Sequence, residues 1–177
     1  MKIYTRVGDH GMTKQASGKM VAKNDLQIQT LGAIDELESW LGVTVAGLSN
    51  ECQQIKYEIQ CVQKFLYELQ ADIAVCNHHT VTAQDTIKLE QHIDDLRAQV
   101  TEIKEFILPG GKTTGANLQY ARTIARRAER MLAAYAQQAT VNDEILMFMN
   151  RLSDYLFVLA RYANKLDGYQ DIPTSKI

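Results

Sequence analysis

An all-α fold, a bundle of five long helices running up and down, is what this sequence predicts. Three observations carry it. From Asn24 onward, apolar residues recur at alternating spacings of four and three, the seam of a helix packed nearly parallel or antiparallel to its neighbours. The breaks between these series are short and polar, at Ser49-Asn50, His78–Ala83, Glu105–Thr113 and Thr140–Asp143. Prolines number only two, Pro109 and Pro173, and aromatics only 7%, which argues against a sandwich of many short strands and frequent turns.

Each element follows from these patterns. Residues 1–23 lack periodicity and carry Gly8, Gly11 and Gly18 among polar side chains. Met1–Thr5 alternates weakly and predicts at most a short extended piece, and the rest reads as loop. The first helix shows Leu31, Ile34, Leu37, Leu41, Val45 and Leu48 on one face, with Asn24 or Asp25 as N-cap. The second shows Ile55, Ile59, Val62, Leu66, Leu69, Ile73 and Cys76, and the third Leu89, Ile93, Leu96, Val100 and Ile103. Thr82 with Asp85 forms an acidic version of a capping box ahead of that third helix. The fourth runs through Thr114, Leu118, Ala121, Ala125, Ala128, Leu132 and Tyr135. The fifth runs from an Asn142 cap through Ile145, Met149, Leu152, Leu156, Leu159, Ala163 and Leu166. Helices of about 20–27 residues would each span roughly 30–40 Å, joined as in up-and-down bundles. The 177 residues read as one domain: a front loop over 1–23, a bundle over 24–167 and a loose tail over 168–177.

Composition excludes several function classes. Nineteen Lys and Arg against 21 Asp and Glu leave a formal charge of −2, with no electrostatic footprint for nucleic acid. No run approaches the roughly 20 apolar residues of a membrane span. The three cysteines, Cys52, Cys61 and Cys76, form no C-x-x-C, and the start lacks an apolar signal region. The expectation is a reduced, cytoplasmic protein with its cysteines as small buried hydrophobes. A di-iron bundle needs Glu-x-x-His twice, and none occurs.

Five places break the bland pattern. Arg122, Arg126 and Arg130 stand at i, i+4 and i+8, one row of a helix, with Arg127 and Glu129 alongside. Guanidinium forks in a row suit polyphosphate; the alternative is a solvated face of arginines paired with carboxylates. The front segment Thr5–Lys14 holds glycines that admit an anion to backbone N–H groups, with Lys14 or Lys23 adding charge. It has Gly8-x-x-Gly11 rather than G-x-G-x-x-G, so an ordinary loop is the competing reading. Gly111-Lys112-Thr113 mimics the end of a phosphate-binding G-x-x-x-x-G-K-[ST] loop, yet Phe106 stands where its first glycine should be and no strand precedes it. What remains is an apolar loop, Phe106-Ile107-Leu108, which on its own reads as buried packing. Asp35 and Glu36, then Asn150, Arg151 and Asp154, sit in mid-helix and either fix register or line a site.

Together these motifs closely resemble the PduO-type ATP:cob(I)alamin adenosyltransferases. The matching blocks are Ile3-Tyr4-Thr5-Arg6-x-Gly8-Asp9-x-Gly11-x-Thr13, Lys23-Asn24-Asp25, Gly32-x-x-Asp35-Glu36-Leu37 and Phe106 to Gly111. They continue with Ala121 to Arg130 and Asn150 to Arg161, in the family's order. The resemblance implies a homotrimer of five-helix bundles with active sites at subunit interfaces. It implies transfer of the 5′-deoxyadenosyl group of ATP to the cobalt of cob(I)alamin, with triphosphate leaving and Mg²⁺ on the phosphates. It further implies cobalamin bound without its lower axial ligand, and a reductase and an adenosylcobalamin-dependent enzyme as candidate partners. Carried over residue by residue, Thr5, Arg6, Val7, Gly8, Thr13, Lys14 and Lys23 wrap ATP. Arg126, Arg127, Glu129, Arg130 and Asn150 complete that site, with Arg126 on the leaving triphosphate. Asp35 and Arg122 pair across subunits beside the corrin, and Phe106 fills the lower face of cobalt. Val7, Met20, Glu38 and Lys112 depart from residues common in the family. Two other readings compete: an ATP-binding sensor without transfer, and a plain helical interaction module.

Overall fold

The computed structural model describes residues 3–177. Five helices make up the bundle: α1 (Leu26–Ala46), α2 (Lys56–Ala74), α3 (Ala83–Arg97), α4 (Thr113–Ala136) and α5 (Asp143–Leu166). Their direction alternates along the chain, as the short breaks predict. Helix α1 packs on α2 and α4, and α5 packs on α4 and α3. Helix α4 therefore lies between α1 and α5. The bonds from Trp40 Nε1 to the Asn117 carbonyl, 3.0 Å, and from Asn150 Nδ2 to Glu129 Oε1, 2.8 Å, mark the two antiparallel seams.

The predicted caps are present. Asp25 accepts from the Gln27 N–H, Asn142 from the Glu144 N–H, and Thr82 with Asp85 closes the acidic capping box. The 4-3 series face inward. Ile34, Leu37, Leu41, Leu66, Leu69, Leu118, Leu132, Met149, Leu152 and Leu156 are wholly buried. Small residues at Ala121, Ala125 and Ala128 let α4 lie close to both neighbours.

Four expectations change. The front segment is not all loop: Met12–Lys14 (β1) and Met20–Ala22 (β2) pair antiparallel, Thr13 opposite Val21. Met1 and Lys2 of the weakly alternating start lie outside the described residues, and Ile3–Thr5 forms no strand. Helix α3 stops at Arg97, although Val100 and Ile103 continue its apolar spacing. Lys165 Nζ takes the Gln99 carbonyl at 2.6 Å and Arg161 takes the Thr101 carbonyl at 2.5 Å. Cations of α5 thus occupy acceptors that a continuing helix would use. Among the cysteines only Cys52 is buried; Cys61 and Cys76 are exposed, Cys61 because it faces away from the α2 seam. The tail is not loose. Residues 107 and 173 form a bridge, the Leu108 N–H donates to the Ile172 carbonyl, and the Thr174 N–H donates to the Phe106 carbonyl.

The second glycine of the pair before α4 has a structural reason. Gly111 holds φ of 138°, in the region that favours glycine, and a Cβ there or at Gly115 would collide with Asn164. Asn164 is 1% exposed, and its Nδ2 donates to the Gly110 carbonyl at 3.1 Å. This close packing replaces the rejected phosphate-loop reading. Gly115→Ala should therefore cost about 1–3 kcal/mol through overpacking, read as a lower urea midpoint at unchanged slope.

Candidate active site

Helix α4 carries the arginines on the flank that its alanine seam leaves outward. Arg122 is half-buried and donates from Nε to Gln119 Oε1 at 3.0 Å. Burial, and then the positive charge of Arg126, lower its proton affinity from the ordinary guanidinium value. Two like charges held side by side, one of them partly desolvated, call for an anion. Among the described residues Arg122, Arg126 and Arg130 form no ion pair with a carboxylate; Arg127 does, through Nη2 to Glu36 Oε2 of α1 at 2.5 Å. The carboxylate-paired reading thus holds for Arg127, whereas Arg126 and Arg130 are exposed without such a pair. Glu129 serves to orient Asn150, which donates to it from α5.

Arg122 and Arg126 line an open groove of about 550 Å³ together with Phe106, Pro109, Gln119, Ser153, Asp154 and Phe157. Phe106 is 88% exposed, which overturns the reading of its loop as buried packing. Its backbone is tied down by the tail while its ring stands in the open. An exposed, anchored aromatic beside unpaired guanidinium groups fits a ligand with one flat apolar face and one anionic part.

The front segment builds a second positive region. Arg6 adopts φ of 63°, a conformation costly for a residue with a side chain, and its guanidinium lies 5.8 Å from the centre of the Tyr4 ring. The Lys23 ammonium fills the space beside Gly8, so a side chain there would crowd it. The Lys23 N–H donates to the Gly11 carbonyl at 2.9 Å, fixing the loop to β2. The loop is open: Thr5, Arg6, Val7, Lys14 and Lys23 are exposed, while Gly8 and Thr13 are partly covered.

The predicted residues fall into two groups within the chain. Thr5, Arg6, Val7, Gly8, Thr13, Lys14 and Lys23 stand on the front loop and hairpin; Phe106, Arg122 and Arg126 share the groove. Among the described residues no hydrogen bond or ion pair joins residues 5–14 to the arginine row. Asp35 is exposed on α1 and makes no ion pair with Arg122 inside the chain. Arg151 binds α5 to α3 through Glu90 Oε1, 2.9 Å, and also holds Asp154, 3.1 Å. Glu38 joins α1 to α2 by accepting from Gln70 Nε2 at 2.9 Å, and burial raises its carboxyl pKa. Sequence reasoning missed Gln119, Ser153 and Phe157 as groove residues. Gln119 had a legible signal, a polar side chain one turn before Arg122.

The fold and site define a class: helical-bundle proteins with an open groove of unpaired guanidinium groups beside an exposed, anchored aromatic. Within it, the chain belongs to the cobalamin adenosyltransferase family, whose model matches residues 3–163. The corrinoid adenosyltransferase of Bacillus subtilis (strain 168) is 36% identical over 177 residues, which span 97% of this chain and 91% of that protein. A variant of the PduO-type ATP:corrinoid adenosyltransferase from Lactobacillus reuteri, complexed with cobalamin and ATP, matches with a TM-score of 0.94. Its identity is 36%, over 97% of this chain and 98% of that one. Another variant from the same organism, complexed with ATP, gives 0.92 at 38% identity over 97% and 99%.

Proposed function

We propose that the protein transfers the 5′-deoxyadenosyl group of ATP to the cobalt of cob(I)alamin, acting as a homotrimer with interface active sites. The observation that carries this is the groove in which Arg122 and Arg126, without carboxylate partners, stand beside the exposed Phe106. Cob(I)alamin is itself the nucleophile, so the chain needs no Ser, Cys or His for that role. A cobalt–carbon bond forms at C5′, the C5′–O bond breaks, and its electron pair leaves with triphosphate. The protein's task is to hold the two substrates in line and to meet the leaving charge with preorganised cations. Arg126 and Arg130 do so from α4, and the front loop wraps the nucleotide with Thr5 to Gly8, Thr13, Lys14 and Lys23. In the proposed homotrimer the front loop of one subunit meets the arginine row of the next, which is consistent with the lack of a hydrogen bond or ion pair between residues 5–14 and that row among the described residues.

Mg²⁺ on the phosphates would neutralise part of their charge. Glu129, which accepts from Asn150 beside the row, would be a carboxylate able to hold it, as suits an ion bound chiefly by phosphate oxygens. Phe106 covers the lower face of cobalt and excludes an axial ligand. Asp35 and Arg122, unpaired within the chain, bridge subunits beside the corrin. Double substitution of Asp35→Ala with Arg122→Ala should then reveal coupling of about 0.5–3 kcal/mol in corrin affinity, whereas additive single effects would remove the bridge. Incubation with ATP, Mg²⁺ and pre-reduced cobalamin tests the function: adenosylcobalamin forms. ATP binding without turnover would instead establish the sensor, and binding of neither substrate the interaction module. Light scattering of the purified protein checks the trimer.

A further inference from the structure

Two sets of hydrogen bonds meet behind Phe106. Its carbonyl accepts from both the Thr174 N–H, 2.9 Å, and the Thr174 hydroxyl, 3.2 Å. Two residues along, the Leu108 N–H donates to the Ile172 carbonyl at 2.8 Å. The tail that makes these contacts is itself locked to α5. Asp171 Oδ2 accepts from Arg161 Nε at 2.7 Å, and Asp171 Oδ1 accepts from Asn164 Nδ2 at 3.2 Å. Arg161 and Asn164 are 6% and 1% exposed, and the same two side chains take the Thr101 and Gly110 carbonyls on either side of the Phe106 loop. One buried pair on α5 thus fixes the loop's two ends and the strap behind its middle. The Phe106 side chain has no such support, being 88% exposed.

We infer that Thr174 and Asp171 are positioning residues: residues 171–174 form a strap that sets the height of Phe106 under the corrin. This inference rests on the proposed transferase function. A loop freed from the strap still carries its phenylalanine, but the ring no longer closes the lower face of cobalt tightly enough to keep out a fifth ligand. Among the described residues Lys14, Lys23, Arg122, Arg126 and Arg130 make no hydrogen bond or ion pair to the strap, so the phosphate-binding cations should keep their places without it.

Thr174→Pro is the incisive variant. It removes the N–H and the hydroxyl together. Pro173, at φ −61° and ψ 143°, already has the backbone that a following proline requires, and position 174 opens a short helical turn, where proline is favoured. In the full-length protein, turnover starting from cob(II)alamin with a mild reductant should fall about tenfold more than turnover starting from pre-formed cob(I)alamin, as expected of a misplaced positioning group. The four-coordinate cob(II)alamin signal should shrink in the same proportion, with ATP affinity and melting temperature close to wild type. Asp171→Asn should move the ratio the same way, and Thr174→Ala less. In a Phe106→Ala background, Thr174→Pro should leave the ratio where Phe106→Ala alone puts it. A Thr174→Pro protein with the wild-type ratio and signal, or one losing both activities equally, would overturn the inference while leaving the transferase function intact. Wild-type protein that forms no adenosylcobalamin would overturn that function, and the inference with it.

Discussion

Arg126→Ala should lower kcat by about 10²–10³-fold, the usual consequence of deleting one preorganised donor at a developing anion. A further negative charge develops on the already anionic triphosphate only as the C5′–O bond breaks. The loss therefore falls on the chemical step more than on the affinity for ATP. Arg126 is exposed and carries no ion pair among the described residues, so its removal breaks no salt bridge and stability should stay within about 0.5 kcal/mol. Arg127→Ala is the informative contrast. It breaks the bond to Glu36 and should show a smaller kinetic effect with some loss of α1–α4 stability. Single-turnover kinetics at saturating ATP decide between the two residues. An Arg126→Ala enzyme that turns over at the wild-type rate would remove this residue from the leaving-group role.

Phe106→Ala should separate reduction from transfer. An axial ligand pushes electron density along the cobalt axis, destabilises the extra electron of cob(I)alamin and makes reduction harder. A hydrophobic wall below cobalt removes that ligand and does nothing to the phosphates. The variant should accordingly fail most severely from cob(II)alamin and a mild reductant, and perform better when cob(I)alamin is supplied ready-made. Phe106→Trp and Phe106→Leu should be intermediate. Because the ring is 88% exposed, truncation removes no core packing, and stability should change by no more than about 0.5 kcal/mol. A large drop in melting temperature with equal loss in both assays would show that the ring serves packing after all.

The bundle was legible because its cause is local and periodic. Apolar residues at spacings of four and three, begun by the Asp25, Thr82 and Asn142 caps, specify helices without reference to anything distant. The row Arg122–Arg126–Arg130 was legible for the same reason. What the sequence concealed depends on contacts far along the chain. Val100 and Ile103 carry a helical spacing, yet Arg161 and Lys165, some sixty residues later, take the carbonyls that would extend α3. The tail from Gly168 has the composition of a loose end, and only its pairing with the Phe106 loop orders it. Phe106 itself reads as core by residue type, because no local pattern records that its backbone is clamped while its ring is left outside. The front hairpin was missed because three-residue strands are too short to show alternation.

The most direct test of the central claim is a product balance. Purified protein is incubated with ATP, Mg²⁺ and chemically reduced cobalamin, the corrin spectrum is followed, and the phosphate products are separated. The arginine groove and the front loop predict one triphosphate released for each adenosylcobalamin formed, with no turnover when either substrate is omitted. Release of ADP and phosphate without a change in the corrin spectrum would contradict the account, as would an unaltered spectrum with ATP intact.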